Sequence, residues 1–312
     1  MSLDPDAQAI ADLAASIPPF HTMSIEGARE IAAMAAMPPM TDIAQVTERA
    51  VPTEHGTVPV RVYHPAPTSV LPLLIYMHGG GWSTGGLYTA DETCRILATT
   101  SECVVVSVDY RLAPEHKFPA AFHDVYGVAQ WLTAHADQVG GDGDRIAIGG
   151  DSAGANLAAA VCLHARDHEG PKFVLQLLAY PATEFGVPRA SLVENAHAPM
   201  LWAQDVTWFW DHYLDTEADR SDARAVPSAA ASLAGLPPAV VITAQYDPIR
   251  DDGEAYAQAL ADAGVAVTST RYPGVFHGFF TIPILTRTQQ ALSDTAACLR
   301  NAFSTAAAID HV

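Results

Sequence analysis

Arg145-Ile146-Ala147-Ile148-Gly149-Gly150-Asp151-Ser152-Ala153-Gly154-Ala155-Asn156 runs from a short apolar strand, ending at Gly149, into small residues and good helix formers that continue to Ala165. Between the two lies Gly150-x-Ser152-x-Gly154, the pattern of a nucleophile elbow. A serine on so tight a strand-to-helix turn sits in strained backbone geometry, and the flanking glycines keep neighbouring segments from clashing with it. The turn projects the hydroxyl out of the sheet and leaves the Ala153 N–H unpaired at a helix N-terminus, facing any developing negative charge. An ordinary Gly-rich βα turn is the bland alternative for the pentapeptide taken alone.

Such an elbow needs a sheet and a large core behind it. With 312 residues, 49% hydrophobic and 16% charged, the chain suits one large domain, or one domain with a small appendage. The formal charge of −19, from 35 acidic against 16 basic residues of which only Lys117 and Lys172 are lysines, repels nucleic acid and anionic membranes. Cys94, Cys103, Cys162 and Cys298 show no close-spaced metal pattern and read as buried free thiols in a reducing compartment. The N-terminus lacks a basic and then apolar leader, no run reaches the roughly 18 apolar residues of a membrane span, and no N-x-[ST] site is present. The expectation is a cytoplasmic protein.

Taken in order, residues 1–40 read as helical and separate from the core: Ile10, Leu13 and Ile17 precede Pro18-Pro19, and an Ala/Met-rich helix from Ile25 to Met37 ends at Pro38-Pro39. From about Gln45 the period changes to two. Thr57 to Tyr63 alternates as a half-buried strand, with Pro59 favouring an edge. Leu71 to Met77 is continuously apolar, as a strand buried on both faces requires, and Cys103 to Val108 and Phe173 to Ala179 read likewise. Helices are expected over Tyr88 to Thr100 and Pro119 to Ala136. Residues 183–225 interrupt the alternation and hold Phe185, Trp202, Trp208, Phe209, Trp210 and Tyr213, three of the five tryptophans among them. An excursion between strands that concentrates aromatics either fills a satellite core or covers a site. Ala239 to Ala244 resumes the sheet, Asp251 to Ala263 is an amphipathic helix, Val265 to Arg271 a last edge strand, and Ile284 to Phe303 a closing helix. This alternation argues for a mostly parallel sheet with helices on both faces.

Leu71 to Met77 runs into His78-Gly79-Gly80-Gly81-Trp82. Three consecutive glycines are entropically costly unless backbone N–H groups must approach a ligand oxygen, which is the second half of an oxyanion hole; a plain loop is the alternative, and His78 reads as a structural part of that loop rather than a base. A serine hydroxyl needs a base, and the base an acid to fix its tautomer, in the chain order Ser…Asp/Glu…His. Downstream of the last strands stand His277 and His311; His311 lies one residue from the end of the sequence, whereas His277 follows a strand in a Gly-rich loop. Asp247 ends its strand before Pro248, while Asp251 and Asp252 suit the N-cap and first turn of the next helix.

With these motifs assembled, the chain resembles the hormone-sensitive-lipase-like family of α/β-hydrolases, the bacterial family IV esterases. The resemblance spans about residues 45–305 through His78-Gly79-Gly80-Gly81-Trp82, Tyr110-Arg111-Leu112-Ala113-Pro114-Glu115, Gly150-Asp151-Ser152-Ala153-Gly154, Asp247-Pro248-Ile249-Arg250-Asp251 and Phe276-His277-Gly278-Phe279, with Asp151 marking the GDSAG branch. It implies an α/β-hydrolase fold with a central, mostly parallel eight-stranded sheet and a helical cap: cap helices in residues 1–45, a catalytic domain in 46–312, and a cap insertion at about 183–225. It also implies Ser152 as nucleophile, His277 as base and Asp247 as acid, with N–H groups of Gly80, Gly81 and Ala153 in the oxyanion hole and Gly79 shaping the turn. Trp82, Trp202, Trp208, Phe209 and Phe279 are the expected substrate-binding residues, and Met23, Met34 and Met37 are expected to join the cap residues in roofing the pocket.

The expected activity is that of a serine carboxylesterase acting on short- to medium-chain esters through an acyl-enzyme, with no cofactor or metal. An amidase or peptidase using the same triad is the nearest rival. A non-catalytic small-molecule receptor is a rival of another class, and the intact His277 counts against it. The resemblance further suggests a homodimer through the last strand.

Overall fold

Why Leu71–Met77 (β3) becomes the middle of a sheet is visible in its two faces: Leu73, Ile75 and Met77 enter one hydrophobic core, Leu74 and Tyr76 the other, and all five are fully buried. The computed structural model of the chain describes residues 2–309; His311 lies outside them. The other strands are β1 (Gln45–Thr53), β2 (Gly56–His64), β4 (Val104–Val108), β5 (Gly141–Asp151), β6 (Leu175–Ala179), β7 (Ala239–Tyr246) and β8 (Val267–Phe276). They form one eight-stranded sheet in the order β1-β2-β4-β3-β5-β6-β7-β8. Only β2 runs against its neighbours; every pair from β4 to β8 is parallel.

Parallel strands demand crossovers, and helices supply them on both faces. The N-terminal helices α1 (Pro5–Ala14) and α2 (Ile25–Met34) precede the sheet. Of the following helices, α3 (Asp91–Ser101) and, at the C-terminal end, α9 (Thr286–Ile309) cover the face that Leu74 and Tyr76 enter. On the opposite face lie α4 (Ala120–His135), α5 (Ala153–Asp167) and α8 (Arg250–Asp262), the last following the short α6 (Ala190–Glu194) and α7 (Ala203–Tyr213) of the excursion between β6 and β7. Cys94, Cys103 and Cys162 are buried, and all four cysteines are free thiols. No helix among the described residues is long and apolar enough to cross a membrane.

Two expectations need correction. Thr57 to Tyr63 lies inside the sheet, and the edge is β1. Pro59 is tolerated there because its carbonyl accepts from the Asp109 N–H at 3.0 Å, just past the end of β4. Its missing donor therefore falls where the neighbouring strand is leaving, not within the ladder. The first helix is also not separate from the core. Ala7 and Ala11 are buried in the α3/α9 core, the Asp4 N–H donates to the Gly274 carbonyl at 2.8 Å, and Asp4 pairs with Arg287 at 2.8 Å.

Candidate active site

Ser152 follows the last residue of β5 and precedes the first of α5, with φ 54° and ψ −118°, a left-handed-side conformation that L-residues adopt only under constraint. The constraint is visible: the Ser152 N–H donates to the Ala179 carbonyl of β6 at 2.8 Å, and its own carbonyl accepts from the Asn156 N–H at 3.0 Å. Added Cβ atoms at Gly150 and Gly154 would stand 2.3 and 2.1 Å from the Met77 carbonyl oxygen, so β3 crosses against the turn closely enough to admit only glycine.

β7 delivers Asp247 and β8 delivers His277 to the same end of the sheet. Asp247 is fully buried; one carboxylate oxygen accepts from the Ile249 N–H at 2.8 Å and the other lies 2.7 Å from His277 Nδ1. His277 Nε2 stands 2.9 Å from Ser152 Oγ. An ionised carboxylate can only accept, so Nδ1 carries the proton, and Nε2 is left with a lone pair aimed at the serine hydroxyl. The ring of Tyr180 lies 4.6 Å from that of His277 and walls one side of it. This arrangement can take a proton from Ser152, hold the positive charge against Asp247, and return the proton.

The glycine loop borders the same space. Gly79, Gly80, Gly81, Ser152, Ala153 and His277 all line one cavity of about 520 Å³. The N–H groups of Gly80, Gly81 and Ala153 meet no acceptor among the described residues, while the Gly80 carbonyl is engaged by the N–H groups of Ser83 and Thr84. Gly79 packs against Asp151, where a side chain would collide with the carboxylate at 2.3 Å. Burial pushes the Asp151 carboxyl up to about 6, with the Tyr76 hydroxyl donating to it at 2.9 Å. His78 is buried beneath the loop, its Nδ1 2.7 Å from the Gly79 carbonyl and its ring stacked on Tyr110; burial pushes it down to about 4, so it stays neutral.

Above the serine, the cavity is walled by the N-terminal segment (Phe20, Ile31, Met37) and by α7 with the turn before it (Trp202, Val206, Phe209). Trp202 and Phe209 thus line the cavity, and so does Trp82, although its indole is 2% exposed and stacked on Tyr213 at 4.3 Å. Trp208 does not line the cavity: on α7 it falls on the neighbouring face, packed on Phe209 and His212. Neither does Phe279, which is fully buried between Tyr180 and Tyr272 and props the loop behind His277. Of the three methionines expected there, Met37 reaches the cavity, Met23 lies off it and Met34 is 81% exposed; Met200, from the excursion, lines it as well. Phe20, Ile31 and Val206 escape a reading by residue type, though Ile31 and Ala32 of α2 and Ala35 and Ala36 just past its end keep a helical spacing that carries that signal.

Neither Asp251 nor Asp252 is the N-cap of α8, which is Ile249, but both stand in its first turn as expected. They reach into the excursion: Asp251 accepts from the Ser191 N–H at 2.9 Å, and buried Asp252 accepts from the N–H and hydroxyl of Thr183 and the N–H of Glu184. Burial pushes Asp252 up to about 8, against those donors. Asn195, from the same excursion, donates to the Asp247 carbonyl at 3.1 Å. No group of three or more His, Cys, Asp or Glu able to hold a metal ion occurs among the described residues.

A parallel sheet with a serine on its central strand-to-helix turn, and a histidine and aspartate at later strand ends, defines a serine hydrolase of the α/β-hydrolase class. A family profile described as alpha/beta hydrolase fold matches residues 74–281. The carboxylic ester hydrolase LipN of Mycobacterium tuberculosis is 43% identical over 253 residues, 79% of this chain and 67% of LipN. The carboxylesterase NlhH of the same organism is 44% identical over 233 residues, 73% of each chain. Among solved structures, a hyperthermophilic esterase from the archaeon Pyrobaculum calidifontis superposes with a TM-score of 0.90 at 41% identity, covering 96% of this chain and 99% of that one. The chain belongs to the hormone-sensitive-lipase-like family of α/β-hydrolases. It is a carboxylic-ester hydrolase.

Proposed function

We propose that Ser152 is the nucleophile, His277 the general base and then acid, and Asp247 the residue that fixes the imidazole tautomer. The observation that carries this is the continuous chain from Asp247 to His277 to Ser152, at 2.7 and 2.9 Å. Ser152 Oγ attacks the ester carbonyl as its proton passes to Nε2. The oxyanion rests on the N–H groups of Gly80, Gly81 and Ala153, which meet no acceptor among the described residues. Collapse of the tetrahedral intermediate breaks the C–O bond, and the alcohol leaves with the proton from Nε2. Water, deprotonated by the same nitrogen, then hydrolyses the acyl-enzyme.

Short- to medium-chain carboxylic esters are the proposed substrates. A cavity of about 520 Å³ walled by Phe20, Ile31, Trp202, Val206 and Phe209 is sized and lined for a modest apolar acyl or aryl group. Residues 1–45 and the insertion at about 183–225 act together as its cap, and contacts such as Phe20 with Phe209, ring centroids 5.3 Å apart, support that division. A net charge of −19 supports small neutral esters over nucleic acid as the partner, and the free edge of β8 is the proposed dimer contact.

The test is pre-steady-state release of p-nitrophenol from the acetate and butyrate esters, with mass-spectrometric mapping after inhibition by a small phosphonate. A burst of one equivalent per chain and a single adduct on Ser152 are expected. Ester turnover with the adduct elsewhere would overturn the assignment. Matched anilides in the same assay separate esterase from amidase preference.

A further inference from the structure

Gly81 sits under an aromatic ring. A Cβ on Gly81 would lie 2.1 Å from Cδ1 and 2.2 Å from Cγ of Phe209, so the ring rests directly on the glycine's Cα. Phe209 is 6% exposed and is itself held from above, its ring 5.3 Å from Phe20 and 5.0 Å from Trp208. One helical turn earlier on the same face, Asp205 accepts from the N–H of His21 at 2.8 Å and faces its Nδ1 at 2.7 Å. The ring is thus clamped between the N-terminal segment and the loop that borders Ser152.

Its position matters because of what that loop presents. The Gly80 carbonyl and the Gly81 N–H belong to one trans peptide unit and point opposite ways. Three donors engage the carbonyl, namely the Ser83 N–H at 3.1 Å, the Thr84 N–H at 2.9 Å and the Thr84 hydroxyl at 3.0 Å. They set the plane of the unit, and so the direction of the Gly81 N–H. They do not stop the unit from shifting away from Ser152 along that plane. At φ 113° and 57°, Gly80 and Gly81 lack the side chains that would otherwise wedge the loop. We propose that Phe209 is a positioning residue for the oxyanion site: its ring, pressed on Gly81 by the N-terminal segment, keeps the Gly81 N–H at hydrogen-bonding distance from the developing oxyanion. The inference rests on the assignment of Gly80 and Gly81 as oxyanion donors.

A short alkyl trifluoromethyl ketone reads this directly. Ser152 Oγ adds to its carbonyl carbon, the C=O π pair moves to oxygen, and the serine proton passes to His277, leaving a hemiketal oxyanion on the loop. The matching trifluoromethyl carbinol fills the same space and cannot add. In the wild-type protein the ketone should bind at least about 100-fold more tightly than the carbinol. In Phe209→Ala that ratio should fall by roughly tenfold or more, because small displacements of a preorganised donor are costly, and kcat for p-nitrophenyl acetate should fall with KM little changed. Phe209→Leu keeps branched carbon over Gly81 and should retain the ratio within about threefold. If the alanine variant does not fold, Phe209→Val is read in its place. An unchanged ratio, or a ketone and carbinol that weaken together while KM rises, would make Phe209 a pocket wall only and overturn the inference. A wild-type protein with no preference for the ketone would instead overturn the site assignment beneath it.

Discussion

The carbonyl oxygen of Met77 occupies the space in which Gly154 could carry a side chain: a Cβ there would stand 2.1 Å from it. The contact is backbone against backbone, at the crossing of β3 with the start of α5, and neither partner can swing aside. Gly154→Ala is therefore expected to cost at least about 3 kcal/mol, the upper end of overpacking penalties. Gly27→Ala supplies the contrast, since its nearest neighbour would be Ser24 Oγ at 3.6 Å and it lies in α2. That change should stabilise by roughly 0.5–1 kcal/mol through helix propensity. Urea midpoints of the two variants decide the matter, and equal midpoints would mean that the crossing relaxes.

The triad is tested by separating Asp247 from its neighbour. Ser152→Ala and His277→Ala should each lower kcat by roughly 10⁶, and Asp247→Ala by roughly 10⁴, on the scale measured for another serine hydrolase. Asp251 faces the Ser191 N–H at 2.9 Å, away from His277, so Asp251→Ala should stay within a few-fold of wild type. Activity that survives Asp247→Ala and disappears with Asp251→Ala would reverse the assignment.

A pH signature should come from Asp151. Its folded carboxyl titrates at about 6, whereas an unfolded aspartate titrates near ~3.9. Between those values the folded chain holds a proton that the unfolded chain has released. This contribution is fully present below about pH 4, is lost as pH rises to about 6, and is flat beyond. The total is of order 3 kcal/mol. Asp151→Asn lacks it, so the variant's stability relative to wild type should improve by that amount from pH 4 to pH 7. Parallel unfolding curves at the two pH values would sink the idea.

How far this could be read from the residues differs from part to part. Ser152, Asp247 and His277 stand at strand ends, and a parallel sheet gathers its C-terminal ends on one side, so their convergence follows from chain order and local pattern. The edge role given to Pro59 failed because a proline's cost depends on where the neighbouring strand stops, which no local pattern records. Asp252 stands in the first turn of α8 as read, but its buried contacts could not be read locally, because its partners, Thr183 and Glu184, lie about 70 positions away. In α7 the run Trp208-Phe209-Trp210 is apolar on every side. Its phase is set by what packs on each face: Phe209 against Gly81, Trp210 against Trp82 at 4.3 Å, and Trp208 on neither.

The cap should come loose at one carboxylate. The Asp205 side chain is 1% exposed, and its oxygens serve the N–H of His21, the His21 ring and the N–H of Trp202 at 2.7–2.9 Å. Asp205→Ala leaves these donors without an acceptor, at about 1–3 kcal/mol for each one that water cannot reach. That loss is local, because Phe20 to Thr22 and α7 meet here while the sheet is covered by other helices. The far-UV signal should therefore be largely retained, and a small phosphonate should still label Ser152. Limited proteolysis between residues 15 and 24 should quicken several-fold. The ranking of acetate, butyrate and octanoate esters should shift as the wall carrying Phe20 moves. Asp205→Asn, which keeps one acceptor oxygen, should fall between. Unchanged proteolysis together with an unchanged ranking would mean that Asp205 does not hold the cap, and loss of labelling with loss of fold would make it part of the core.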